Sequence, residues 1–196
     1  MAKTTTKVVG LALAGVSVYG VWTLVLDGDD EVTGTRHVVN QVWIERAPQG
    51  PRDMIGHLVL LDMPEGRFGA AGRSSQWRHL IELFQWGLEG PRLSVFFPQD
   101  RMKAQLRVRS WKCKGEAPEP FELCLEISNG RRSAMFYSLE EWRIDPDHVG
   151  ESLAELGQEP ALANVLPDVG VTVEIPTEEL ADYGEFDALS VFDSTR

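Results

Sequence analysis

The chain has 196 residues, 43% hydrophobic and 25% charged, with a formal net charge of −11. That length buries one full core with segments to spare, and the composition is that of a globular protein. The charge is uneven: eleven acids and one base lie from Glu151 onward, while residues 1–150 hold 19 acids against 18 bases. An acidic tail repels phosphate, so no nucleic acid is expected as a partner, and a solvated tail is its plain reading.

Residues 8–26, VVGLALAGVSVYGVWTLVL, are nineteen residues without a charge. As a helix they span roughly 28 Å, close to the hydrocarbon thickness of a bilayer. Lys3 and Lys7 precede the run and Asp27-Gly28-Asp29-Asp30-Glu31 follow it. That asymmetry keeps the N-terminus cytoplasmic and places the body outside the cytoplasm, in the periplasm if the source is bacterial. A cleaved signal peptide and a buried core helix are the rivals. The first wants a shorter apolar region and a better small-x-small site, and the second a polar face. The reading is an uncleaved signal anchor, a single transmembrane helix within residues 1–26. Residues 27–35 form a polar linker.

The body, 36–143, reads as consecutive short strands. The clearest pair is Phe84 to Phe97, FQWGLEGPRLSVFF. Phe84, Trp86 and Leu88 share one face, and Leu93, Val95 and Phe97 share one after the turn Glu89-Gly90-Pro91-Arg92. This is a β-hairpin with one apolar side. The preceding Trp77, Leu80, Ile81 and Phe84 also fit helical spacing, an alternative that the hairpin disfavours. Turn signals place strands near 36–46, 57–63, 67–74, 78–88, 92–97, 103–112, 121–128 and 131–138. Eight antiparallel strands in sequence close into an up-and-down barrel, which removes exposed edges; a two-sheet sandwich is the alternative. The expected class is therefore mainly β.

Cys113 and Cys124 are the only cysteines and flank the turn of the next hairpin. A turn at 116–121 sets them opposite each other, within bridging reach. Outside the cytoplasm a disulfide is the natural state; free buried thiols, a metal clip or a redox pair are the other options. The same pairing puts Val108, Ser110, Leu125 and Ile127 on one face, with Arg107, Arg109, Trp111, Cys113 and Glu126 on the other.

Residues 144–196 change character. Asp145-Pro146-Asp147 can start a helix over about 150–156, and Glu159-Pro160 another through Leu166. VGVTVEIP (169–176) has the alternation of one more strand. EELADYGEFDALSVFD (178–193) mixes acids with Leu, Tyr and Phe, the composition of a disordered or partner-binding segment.

Catalytic signatures are sparse. There is no Gly-x-Ser-x-Gly elbow, and Gly69-Ala70-Ala71-Gly72 lacks the lysine of a phosphate loop. His37, His57, His79 and His148 are scattered without ligand spacing. No catalytic residue, metal ligand or cofactor is assigned, and no enzyme activity is expected.

The run GRFGAAGRSSQWRHLIELFQWGLEGPRLSVFFPQD with LRVRSWKC, FELCLEI and RSAMFYS resembles a lipocalin-like (calycin) barrel across residues 36–143. Lipocalins carry a Gly-x-Trp in the first strand, its Trp under a basic residue at the barrel floor. Here Trp43 takes the Trp role, with Gln41 at the glycine position and Arg132 or Arg143 as the basic partner. The resemblance implies a lipid or other small apolar ligand inside the barrel. The candidate binding residues are Trp43, Phe84, Trp86, Val95 and Phe97, with Arg107 and Arg109 gripping a head group. The alternative is a non-catalytic scaffold of an envelope complex that recruits a protein partner through the acidic tail.

Overall fold

The computed structural model describes residues 34–115 and 117–166. The expected membrane helix at 8–26, the strand-like 169–176 and the acidic 178–193 lie outside the described residues. Among the described residues, no helix is long and apolar enough to cross a membrane.

Eight strands follow one another: β1 (Val42–Ile44), β2 (Ile55–Met63), β3 (Gly66–Ser74), β4 (His79–Glu89), β5 (Arg92–Phe97), β6 (Met102–Lys112), β7 (Leu123–Ser128) and β8 (Ser133–Ser138). Each pairs antiparallel with its neighbour in sequence, and β8 returns to β1, closing an up-and-down barrel. The expected strands match closely. β1 is shorter than expected, because residues 34–41 turn across the barrel end instead of extending along its wall. The sandwich and the helical reading of 77–84 are both excluded by the observed pairing.

Alternation decides which side chains point inward. In β6 the pattern is strict: Ala104, Leu106, Val108 and Ser110 are buried while Gln105, Arg107 and Arg109 are exposed. Period-two patterning in a half-buried sheet produces this result. The Phe84–Phe97 hairpin pairs Trp86 with Val95 and Leu88 with Leu93, as its alternation implies. All four pack in the inner cluster or directly against it.

A second core lies on the outer wall. After β8 the chain bends through Trp142 and Ile144 into α1 (Val149–Leu156), followed by hydrogen-bonded turns. Trp142, Ile144, Leu156, Leu162 and Val165 pack on the outward side chains Val42, Ile44, Ile55 and Val59. β1 is therefore buried on both faces, Trp43 inward and Val42 and Ile44 outward. The first expected helix is present. The second is not: residues 159–166 form successive tight turns, with Leu162 N–H bonded to Glu159 O and Leu166 N–H to Leu162 O. Burial of Leu162 and Val165 against the barrel holds these turns without a continued helical ladder.

The cysteine hairpin needs one correction. Trp111, not Cys113, stands opposite Cys124, and the Cys113 N–H donates to the Glu122 carbonyl. The register thus differs by two residues from direct opposition. An even slip keeps every side chain on its face, whereas an odd one would reverse them all. The two sulfurs still meet at disulfide distance, 2.10 Å, with Cα atoms 5.5 Å apart.

Candidate functional site

The two barrel ends differ. The chain enters β1 at the lower end, where Gly34 exchanges backbone hydrogen bonds with Ser110. Val38 fills that end, and the Trp43 indole N–H donates to its carbonyl at 3.3 Å. At the upper end Arg73 donates to both carboxylate oxygens of Glu45, at 3.0 and 2.9 Å, and to the Met54 carbonyl at 2.7 Å. Beside it Arg46 makes a two-pronged pair with Asp53 at 2.5 and 2.6 Å. Hydrogen bonding from Arg46 holds the Asp53 carboxyl down at about 2. Ion pairs thus mark the upper end and the entering chain lies across the lower one.

Between the ends the interior is packed. Trp43, Leu60, Val108 and Leu125 each have 0% exposure. The aromatic and aliphatic side chains around them keep a little surface, with Phe84 at 4%, Trp86 at 7%, Val95 at 4% and Phe97 at 3%. The five apolar candidates, Trp43, Phe84, Trp86, Val95 and Phe97, come together in this inner cluster. Phe84 and Phe97 rings lie 5.4 Å apart, and the Trp86 indole donates to the Phe68 carbonyl at 2.9 Å. Trp86 is capped by the Arg67 guanidinium, 5.3 Å above its ring.

Arg107 and Arg109 are not part of that group. Both project from the outer wall of β6. Arg109 is ion-paired with Glu126, its cross-strand neighbour, and stacks over Trp111 at 5.1 Å. The wall separates these arginines from the aromatic interior. Of the two basic residues expected near Trp43, Arg143 is at the same end, its backbone bridged to Gln41, while Arg132 lies in the β7–β8 turn at the opposite end.

The histidines are dispersed. His57 is buried on the outer face of β2, and that burial pushes its imidazole down to about 4. His148, exposed beside Asp145 at 3.2 Å, is raised by that hydrogen bond, while burial lowers His37. Among the described residues no group of three or more His, Cys, Asp or Glu is placed to hold a metal ion.

The surface feature that the sequence reading missed is at the upper end. The β3–β4 turn presents Trp77 at 73% exposure, and Leu80 follows at 46%. With Arg52 and Met54 from the β1–β2 loop and Ser75 and Arg78 from the turn itself, Trp77 borders an open depression of about 420 Å³. The Ser75 N–H donates to Arg78 O at 2.8 Å, which fixes the turn and turns the indole out of the core. The signal was a Trp-Arg-His run directly before a strand, where Trp77 entered the sequence reading only through its helical spacing with Leu80, Ile81 and Phe84. A second depression of about 260 Å³, on the lower side, is bordered by Trp142, Arg143, Glu155 and Glu159.

Comparison with known proteins finds no matching family model, curated protein or solved structure.

Proposed function

We propose that this chain is a membrane-tethered, non-catalytic interaction module whose filled barrel is a rigid scaffold and whose acidic tail recruits a protein partner outside the cytoplasm. The observation that carries this reading is the inner cluster of large side chains, in which Trp43, Leu60, Val108 and Leu125 are fully buried and Phe84, Trp86 and Phe97 nearly so. An eight-stranded barrel is narrow enough for side chains alone to fill it, and filled barrels serve as frames. The apolar run at 8–26 supports the tether, and the Cys113–Cys124 pair supports an oxidising compartment. The tail supports recruitment by its mixture of acids and aromatics.

The second reading, a lipocalin-like barrel holding a lipid or other small apolar ligand, is supported by the closed eight-strand up-and-down order. It requires Phe84, Trp86 and Phe97 to move aside, because they occupy the space a ligand would take. Native mass spectrometry of the full chain, released gently from detergent and compared with its denatured mass, separates the two. The scaffold reading expects a bare chain; an added mass that leaves on denaturation overturns it in favour of the ligand. Deleting residues 176–196 is expected to abolish capture of the partner with the barrel still folded, and retained capture removes the tail's role.

A further inference from the structure

The upper end is basic in an otherwise acidic protein. Its four connections, residues 45–54, 75–78, 98–101 and 129–132, carry Arg46, Arg52, Arg78, Arg101, Arg131 and Arg132 against only Glu45, Asp53 and Asp100. Two of those three carboxylates are already engaged, Glu45 by Arg73 and Asp53 by Arg46. Arg52 and Arg78 have no carboxylate partner among the described residues and line the same depression as the exposed Trp77. An exposed Trp sharing one depression with two arginines and Met54 combines an apolar anchor with a positive rim. Such a surface fits an acidic peptide carrying large apolar side chains.

The chain contains such a peptide. Residues 178–193 hold six acids and no base, interleaved with Leu180, Tyr183, Phe186, Leu189, Val191 and Phe192. The described chain ends at Leu166 in the outer-wall cluster, which runs from Ala47 and Ile55 near the rim to Phe121 and Leu139 at the lower end. The eleven residues between Leu166 and Glu178 reach up to about 36 Å when extended, about the length of the longest barrel strand. Tethering at that range raises the local concentration of the peptide to about the millimolar level, so weak contacts suffice.

We propose that residues 178–193 of this chain dock in cis on its own upper rim, the acids against Arg52 and Arg78 and an aromatic side chain against Trp77, so that the tail covers this surface until a partner displaces it. The docking does not depend on whether the barrel holds a ligand or on what the tail recruits.

The test uses the full chain in detergent micelles, with Gln76→p-benzoylphenylalanine as a photocrosslinker beside an intact Trp77. Gln76 is exposed in the same turn. Irradiation followed by peptide mapping is expected to join residue 76 to a peptide within 178–193 of the same monomer. The yield should fall about fivefold or more in Arg52→Glu/Arg78→Glu and in 1 M salt, with the near-ultraviolet circular dichroism of the folded chain unchanged. Replacing Glu178, Glu179, Asp182, Glu185 and Asp187 by their amides should reduce it similarly, without touching the described fold. Crosslinks to a second copy, to detergent or lipid, or to the body alone overturn the proposal, as does a tail crosslink indifferent to charge and salt. Partner capture is read separately by pull-down, so a failure of recruitment and a failure of docking are distinguishable.

Discussion

The Gln41 side-chain amide donates to the Ser138 hydroxyl at 2.7 Å, across the seam where the barrel closes on itself. That seam is the weakest in the wall, since β1 and β8 share a single register pair, Ile44 with Tyr137. Gln41 also donates to the Leu139 carbonyl, and Ser138 donates onward to the Val42 carbonyl, each at 2.7 Å. Three hydrogen bonds, two of them fully buried, thus stand in for a missing ladder. Gln41→Leu should lower the unfolding free energy by about 1–3 kcal/mol in urea titration, because it removes two hydrogen bonds across the seam, each contributing roughly 0.5–1.5 kcal/mol. A loss no larger than that of a surface substitution would show that the seam does not depend on this clamp.

A Cβ added to Gly72 would fall inside the Leu80 carbonyl oxygen and within 2.9 Å of the Leu80 carbonyl carbon and 3.0 Å of Ile81 Cα, all main-chain atoms of the facing strand. Backbone in a closed barrel has little room to retreat. Gly72→Ala should cost about 1–3 kcal/mol. Gly87→Ala, where a Cβ meets nothing within 4 Å, is the control and should change stability little. Equal midpoints for the two variants in urea would contradict the close approach.

His57 is held neutral by burial, with its pKa pushed down from 6.5 to about 4. The unfolded chain therefore binds more protons than the folded one between those values. Stability from this residue is full above about pH 6.5 and is lost progressively as pH falls toward 4, by roughly 3 kcal/mol in total. Urea midpoints measured from pH 7.5 to 4.5 should fall along this course, and His57→Gln should flatten it. An unchanged slope in the variant would assign the acid sensitivity elsewhere.

Cys113 and Cys124 are eleven residues apart, and a crosslink of that span stabilises by roughly 2–3 kcal/mol through the unfolded state. Chain isolated from an oxidising compartment should resist alkylation after denaturation unless first reduced. Cys113→Ser/Cys124→Ser should unfold at correspondingly lower urea. Two alkylatable thiols in the oxidised preparation would remove the disulfide and, with it, one support for an extracytoplasmic body.

Much of the wall was legible because a strand writes its orientation locally. Alternation in β4, β5 and β6 needs only neighbours two residues apart, so Phe84, Trp86, Val95 and Phe97 could be assigned to one face without knowing the closure. The glycines of β3 were not legible as structure. They resemble a failed phosphate loop until the barrel sets Phe84 against Gly69 and the Leu80 carbonyl against Gly72. Gln41, a departure from the lipocalin pattern as sequence, becomes a seam clamp only when Ser138, 97 residues later, is brought beside it.

The sequence by itself determined the strand order, the apolar faces of the two central hairpins and that the two cysteines share one hairpin, because hydrophobic period and turn chemistry are short-range properties of the chain. Tertiary structure alone decided that the aromatics of several strands crowd one inner cluster, that Gln41 meets Ser138 at the seam, and that Arg52 and Arg78 share a depression with one exposed Trp77. These depend on side-chain volumes summed across the barrel and on loops far apart in sequence meeting at one end. Both are set by closure of the sheet.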